Sequence, residues 1–98
     1  MTTHKLTATL LEYEEYLKKG YNCTAKQLEP HEYQNPVVSP ESMREHLLWM
    51  IHHCVYVLIP SGDINEIIKA NRWLGYIQGE LRAMREFSIA QLRDHSRS

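Results

Sequence analysis

Apolar residues recur at helical spacing along most of this chain. In the first such segment, Leu6, Leu10, Tyr13 and Leu17 follow one another at intervals of three or four residues, with charged residues between them. This spacing places the apolar side chains on one face of a helix. Glycine readily adopts the left-handed conformation that ends many helices, so we expect the first helix to end at Gly20.

A second helix is predicted from a strong start signal, Ser39-Pro40-Glu41. Serine can cap a helix, proline is favoured at the first helical position, and glutamate complements the positive end of the helix dipole. Pro60 should end this helix at about residue 58, because the residue before a proline avoids helical geometry. Its wide apolar sector indicates that it is the central helix.

Two further helices are predicted from the side chains that can cap them. Asp63 follows a short turn around Gly62 and can cap a third helix that extends to about Arg85. Because the turn is short, helices two and three should pack as an antiparallel hairpin. Ser88, with Gln91 three residues later, can cap a short fourth helix.

The rest of the chain contains a long loop and a short tail. Residues from about 20 to 39 lack helical periodicity and include Pro30 and Pro36, with one turn of helix expected after Thr24. Residues 95–98 should be frayed. A length of 98 residues, 43% of them hydrophobic and 23% charged, is typical of one folded domain. The sequence therefore predicts an all-α single domain over residues 1–98, with three to four helices built on an antiparallel helix hairpin.

Composition also bears on location and on broad classes of partner. The net charge of -1 argues against strong, sequence-independent binding of nucleic acid, which depends on neutralising phosphates with Lys and Arg. The chain has two cysteines, no recognisable secretory leader and no apolar run that approaches the ~20 residues of a membrane-spanning helix. These features predict a cytoplasmic protein that does not span a membrane.

A pair of glycines, Gly75 and Gly79, interrupts the third helix. Each glycine inside a helix costs about 1 kcal/mol relative to alanine, so the pair suggests a close approach of another backbone or a ligand. Asn71 and Gln78 extend this small and polar stripe. Two interpretations follow: tight helix packing with Asn71 and Gln78 fixing the register, or a groove that binds a partner. A small-ligand protein that sequesters nucleotides with Asn71, Gln78 and Arg72 is an alternative from a different class.

Aromatic and basic side chains are grouped on helices two and three, outside the main aliphatic stripes. Such side chains are favoured anchors at protein interfaces, although a small domain can also bury them simply to cover its core. The predicted partner-binding set consists of Trp49, His52, His53, Tyr56, Arg72, Trp73 and Tyr76.

Carboxylate spacing offers little support for an enzyme. Glu12 and Glu15 match the E-x-x-E spacing with which helical nucleotide pyrophosphohydrolases hold Mg²⁺, but Glu41 and Glu45 are four residues apart and complete no second motif. The chain also lacks a serine-hydrolase motif and a phosphate-binding glycine loop. We therefore predict no catalytic activity, with a pyrophosphohydrolase as the least favoured alternative.

A metal site is not predicted either, although His52, His53 and Cys54 are adjacent in sequence. Neighbouring residues point to different sides of a helix. His46 and His53 do share a face, but structural zinc needs four ligands, and no Cys-x-x-Cys pair supplies the others. No cofactor is predicted.

The segment Arg-Trp-Leu-Gly-Tyr-Ile-Gln-Gly, residues 72–79, resembles the C-terminal half of small accessory proteins encoded in the early recombination regions of temperate phages. The sequence Ser-Ile-Ala-Gln-Leu-Arg-Asp-His at residues 88–95 extends the resemblance. The segment also resembles a named type of such proteins, the phage anti-RecBCD protein, which binds the host helicase-nuclease and alters its processing of DNA ends. The resemblance implies a protein of the host cytoplasm that binds a host complex, RecBCD. The resemblance implies no catalytic residues.

Two other partners are left open by the sequence. Four X-Pro bonds lie in loops or at helix boundaries, where a prolyl isomerase could act; their prolines are Pro30, Pro36, Pro40 and Pro60. A second copy of the chain could cover helices two and three and form a homodimer.

Overall fold

The computed structural model describes residues 2–34 and 38–96, and all regular elements in these ranges are helical. In chain order they are α1 (Thr3–Tyr21), a 3-10 helix (Pro30–Gln34), α2 (Pro40–His53), a π-helical turn (Cys54–Leu58), α3 (Ile64–Ala83) and α4 (Ile89–Ser96). The prediction of a small all-α domain is confirmed.

The predicted capping residues start three of the helices. Ser39 and Asp63 accept backbone N–H groups in the first turns of α2 and α3, at 3.1 and 2.8 Å. Ser88 and Gln91 form a reciprocal pair in which the serine Oγ accepts from the Gln91 N–H at 3.1 Å and the glutamine Oε1 accepts from the Ser88 N–H at 2.8 Å. Local side-chain chemistry therefore fixes where these helices begin.

Two helix ends differ from the prediction. α1 continues past Gly20 to Tyr21, and Asn22 adopts the left-handed conformation with a φ of 54°, donating its N–H to Lys18 O at 3.0 Å. α3 ends at Ala83 because Arg85 is left-handed, with a φ of 61°. Asparagine tolerates this conformation better than most residues, whereas arginine does not, so the conformation of Arg85 must be stabilised by its surroundings.

The loop and the tail also differ in detail. The short helical turn of the loop begins at Pro30 rather than at Thr24, and the Glu29 N–H donates to Glu32 Oε1 at 3.0 Å at its start. α4 continues to Ser96, so residues 95 and 96 are helical. Pro36 and the last two residues, 97 and 98, lie outside the described residues.

The core is formed where α1 crosses the α2–α3 hairpin. The fully buried aliphatic side chains of α1 are those predicted from its spacing, and they contact the inner faces of α2 and α3. The core side chains of the hairpin are Leu47, Leu48, Ile51, Leu58, Leu74, Ile77 and Leu81. Burying a side chain of this size contributes about 1.5–3 kcal/mol, so this cluster is the main source of stability.

Hydrogen bonds join α4 to α1 beside this core. Thr9 Oγ1 donates to the backbone oxygens of Lys5 and His95, at 2.9 and 3.0 Å. A 2.8 Å hydrogen bond connects Tyr13 Oη with His95 Nδ1, and Gln78 Nε2 of α3 donates to the same hydroxyl at 3.0 Å. Tyr13 therefore connects three helices through a single hydroxyl group.

The glycine pair of α3 does not form a tight helix contact. Gly75 and Gly79 are exposed, and a Cβ added at either position would have no atom within 4 Å beyond the local helix backbone. Asn71 is also exposed and donates to Ile67 O of its own helix at 3.0 Å. The close-packing interpretation of these three residues is wrong, because this side of α3 faces away from its neighbours. Gln78 differs from them, since it contacts Tyr13.

Replacing Gly75 and Gly79 with alanine should stabilise the protein. Alanine is favoured over glycine inside a helix by about 0.5–1 kcal/mol, and an added methyl group meets open space at both positions. Urea denaturation of Gly75→Ala, Gly79→Ala and the double variant should show this gain at each site, and the two gains should add. A loss of stability in either single variant would mean that the methyl group meets a neighbouring element.

A buried ion pair between Glu86 and Arg44 connects the turn after α3 with α2. Glu86 follows the left-handed Arg85, and its carboxylate accepts hydrogen bonds from the hydroxyl groups of Tyr16 and Tyr21 and, at 3.2 Å, from Arg44 Nη2. The Glu86 and Arg44 side chains are only 6% and 20% exposed. The turn at Arg85 thus directs a carboxylate onto α1 and α2 at the same time.

The stability contributed by Glu86 should disappear in acid. Burial alone would raise the pKa of Glu86, but the hydrogen bonds from Tyr16, Tyr21 and Arg44 and the charge of Arg44 together lower it below its usual value of 4.5. A lowered folded-state pKa means that the stabilisation is complete above the unfolded pKa and is lost as the pH falls through the folded pKa.

Thermal unfolding of the protein and of Glu86→Gln, measured from about pH 7 down to about pH 3, provides the test. The stability difference between the two should be constant near neutrality and should shrink below about pH 4.5. A difference that is the same at every pH would show that the charge of Glu86 contributes nothing to stability.

Candidate functional site

A stack of aromatic rings lies along the outer face of α2. His46, Trp49 and His53 are three and four residues apart, and their rings stack nearly parallel, one after the other. The ring centroids of His46 and Trp49 are 5.8 Å apart at an interplanar angle of 15°, and those of Trp49 and His53 are 5.4 Å apart at 11°. Helical spacing alone brings these three rings together.

α3, the other helix of the hairpin, adds a further ring to this stack. The Trp73 ring lies 5.5 Å from His53 and 5.9 Å from Trp49, so His53 and Trp49 both contact it. Tyr76 lies one turn further along α3 and lines the same cavity as His46. Because Trp73 pairs with the later α2 residues and Tyr76 with the earlier one, the two helices are antiparallel, as predicted.

The loop before α2 supplies one more ring. The Tyr33 ring lies 6.0 Å from that of His46 and is roughly perpendicular to it, and Gln27 Nε2 donates to Tyr33 Oη at 2.9 Å. His46 Nδ1 accepts the buried N–H of Leu28 at 3.2 Å, which holds the loop on α2. Burial also lowers the pKa of His46, so this ring is neutral near pH 7.

These side chains enclose an open cavity of about 530 Å³, which we call the aromatic groove. The rings that line the groove are those of Tyr33, His46, Trp49, His53, Trp73 and Tyr76. Lys69 lies at its far end, with its Nζ 5.2 Å from the centre of the Trp73 ring. The groove therefore presents aromatic surface along its length and a cation at one end.

The predicted partner-binding set is divided by the fold. Trp49, His53, Trp73 and Tyr76 line the aromatic groove, as described above. His52 instead points towards α1, where its Nε2 is 3.6 Å from Glu14 Oε2.

Tyr56 lies beside His52, with ring centroids 5.7 Å apart, and is 62% exposed. Arg72 is exposed and does not line the groove. The aromatic side chains expected to share one face of α2 are thus in two separate groups, one in the groove and one around His52.

Three residues that line the groove, Lys69, Tyr33 and His46, are absent from the predicted partner-binding set. Lys69 is four residues before Trp73, so helical spacing could have placed it on the same face. Tyr33 comes from a loop without periodicity, and nothing in the local sequence indicates that it would reach α2. His46 was considered only as a metal ligand, although its spacing from Trp49 could have revealed the stack.

The less favoured chemistry considered from the sequence involves residues whose positions the structure also describes. Within residues 2–34 and 38–96, no three His, Cys, Asp or Glu side chains converge as metal ligands would. Burial raises the pKa of the Cys54 thiol to about 12, with Lys69 opposing this shift, so the thiol is protonated near neutral pH. Glu15 pairs with Lys19 at 2.6 Å on the surface of α1.

The residues of the nucleotide-binding alternative are also separated. Asn71 bonds its own helix on the surface, whereas Gln78 points inward to Tyr13. The described helices also contain no segment that combines the length and the apolar character needed to cross a membrane.

No protein-family model matches the chain, and no curated protein or solved structure matches it either. The side chains and contacts described above therefore carry the functional argument.

Proposed function

We propose that this chain is a phage-encoded accessory protein that binds a host protein complex, RecBCD, through the aromatic groove and thereby inhibits or modulates the processing of DNA ends. The observation that carries the binding proposal is the position of the two tryptophans. Trp49 and Trp73 contact each other and the core, yet both remain partly exposed in an open groove.

Energetics favour an interface at this groove. The core is closed by aliphatic side chains, and Trp49 and Trp73 lie at its edge rather than inside it. Tryptophan and tyrosine bury a large area with few rotatable bonds, and truncating such residues at an interface often costs about 2 kcal/mol or more. Stacking on neighbouring rings also fixes the rotamers of Trp49 and Trp73 in advance, which reduces the entropy lost on binding.

RecBCD is proposed as the partner because residues 72–79 resemble the anti-RecBCD type, and this segment supplies two of the groove rings. A protein that acts by occupying a larger machine needs a rigid frame and exposed anchors rather than a catalytic site. The buried core and the aromatic groove provide this frame and these anchors. The proposed location is the cytoplasm of the host cell, where this partner acts on DNA.

The proposal is tested with purified proteins. We expect the chain to co-elute with RecBCD in size-exclusion chromatography and to change the rate at which RecBCD degrades linear double-stranded DNA. Closed circular DNA, which has no end, serves as the control substrate and should remain intact throughout. Separate elution together with an unchanged degradation rate would contradict the proposal.

A further inference from the structure

A second cavity adjoins the aromatic groove and differs from it in charge. It has a volume of about 330 Å³ and shares the walls formed by Tyr33, His46 and Tyr76. Glu32 of the 3-10 helix and Glu80 of α3 also line it, and we call it the acidic pocket. The two cavities together form one trough that runs along the hairpin from Lys69 to the carboxylates.

The charged groups around the acidic pocket are negative. Tyr33, Tyr76 and Glu80 line this pocket together, and burial, Glu80 and Tyr33 all raise the pKa of Tyr76. His46 adds no positive charge, since its Nδ1 accepts a hydrogen bond and burial keeps the ring neutral. Among the described residues that line the two cavities, Lys69 is the one lysine or arginine, and it lies in the other cavity.

The remaining walls of the acidic pocket are apolar. Leu28 and Met43 line it together with the phenol rings of Tyr33 and Tyr76. A side chain with an apolar stem and a cationic head suits this pocket, whose lining combines aliphatic and aromatic surface with two carboxylates. Arginine has this construction, because its aliphatic stem carries a planar cation that stacks on aromatic rings and pairs with carboxylates.

We infer that the partner is a protein segment that inserts an arginine into the acidic pocket and an adjacent aromatic or long aliphatic side chain into the aromatic groove. This inference rests on the proposed function and names the chemistry of the partner that the groove binds. Nucleic acid is disfavoured as the occupant, because its phosphates would face Glu32 and Glu80 with Lys69 alone to neutralise them among the lining residues described. Opposite charges across an interface give specificity and correct register, which an aromatic surface alone does not.

The test is a selection of random linear peptides on the immobilised protein, followed by binding measurements in solution. Trp49 and Trp73 are the two tryptophans of the chain, so intrinsic fluorescence reports binding at the groove directly when the peptide lacks tryptophan. Selected peptides should carry an arginine close to an aromatic or long aliphatic residue. The double variant Glu32→Gln, Glu80→Gln should bind them at least about tenfold more weakly.

A matched control removes the same amount of charge elsewhere. Glu12→Gln, Glu15→Gln changes two exposed carboxylates of α1 that do not line either cavity, so it should bind the selected peptides as the unaltered protein does. In the pocket variant, the amide oxygen that replaces the Glu32 carboxylate can still accept the Glu29 N–H, so the loop should keep its fold.

Several results would overturn the inference. These are the enrichment of uncharged or acidic peptides, the absence of any enriched peptide, an equal loss of affinity in both double variants, and preferential binding of a single-stranded oligonucleotide. These results are distinguishable from a failure of the proposed function. If RecBCD bound both double variants as well as it bound the unaltered protein, the proposed function would stand and the arginine inference would fail. If RecBCD were not bound but arginine peptides were, the arginine inference would stand and the proposed function would fail.

Discussion

Replacing Trp73 with alanine should weaken binding to RecBCD by about 2 kcal/mol or more, roughly thirtyfold in Kd. The Trp73 ring contacts both Trp49 and His53, so its removal breaks the aromatic stack at the point where the two helices meet. The variant also loses the surface over which Lys69 lies. Isothermal titration calorimetry or surface plasmon resonance gives the Kd.

Two further variants show whether the loss comes from the groove or from altered folding. Trp73 also contacts the core, so thermal unfolding of Trp73→Ala is measured in parallel. Tyr76→Ala removes a ring that is 44% exposed and should weaken binding in the same direction with less effect on stability. Tyr56→Ala, at a position that is 62% exposed and does not line the groove, should bind normally. Loss of binding in Tyr56→Ala with retention in Tyr76→Ala would place the interface on the His52 side of α2.

Replacing Glu86 with alanine should lower the free energy of unfolding by about 2–3 kcal/mol. The substitution leaves the Arg44 guanidinium without its carboxylate and deprives the hydroxyl groups of Tyr16 and Tyr21 of their acceptor. Arg44 Nε is already buried without a hydrogen-bond partner, so this cation depends on Glu86 for compensation. Chemical denaturation measures the effect.

A matched comparison separates the buried pair from surface charge. Glu15→Ala removes a carboxylate that pairs with Lys19 on the surface and should leave stability unchanged within error, because exposed ion pairs contribute little. The double variant Arg44→Met, Glu86→Met should be more stable than Glu86→Ala alone, because neither charge is then left unpaired. If Glu86→Ala were no less stable than Glu15→Ala, the buried ion pair would contribute nothing to the free energy of unfolding.

The sequence predicts helix starts better than helix ends in this chain, for a physical reason. Ser39, Asp63 and Ser88 act on the backbone within three residues, so local chemistry decides where these helices begin. The end of α3 depends instead on a left-handed Arg85, after which the Glu86 N–H donates back to Leu81 O at 2.9 Å. Arginine is not favoured in this conformation, so no local pattern indicates it.

The site shows the same division between local and distant contacts. Periodicity singled out Trp49 and His53 on α2 and Trp73 and Tyr76 on α3, and the short turn of the hairpin brings these two pairs together in one groove. Periodicity places His52 and His53 on different sides of α2 but does not say which of them faces α1, since that depends on the packing of the whole core. The glycine pair led to a wrong prediction of close helix packing. Glycine allows a close approach but does not require one, and Gly75 and Gly79 face open space.

The central claim is that the aromatic groove is the surface that contacts the host complex. Hydroxyl-radical footprinting of the complex with RecBCD, read by mass spectrometry at individual side chains, tests it most directly. Oxidation of Trp49, Trp73 and Tyr76 should fall on binding, while Tyr56, which lies outside the groove, should be oxidised as in the isolated protein. Protection of Tyr56 with unchanged oxidation of the groove rings would contradict the claim.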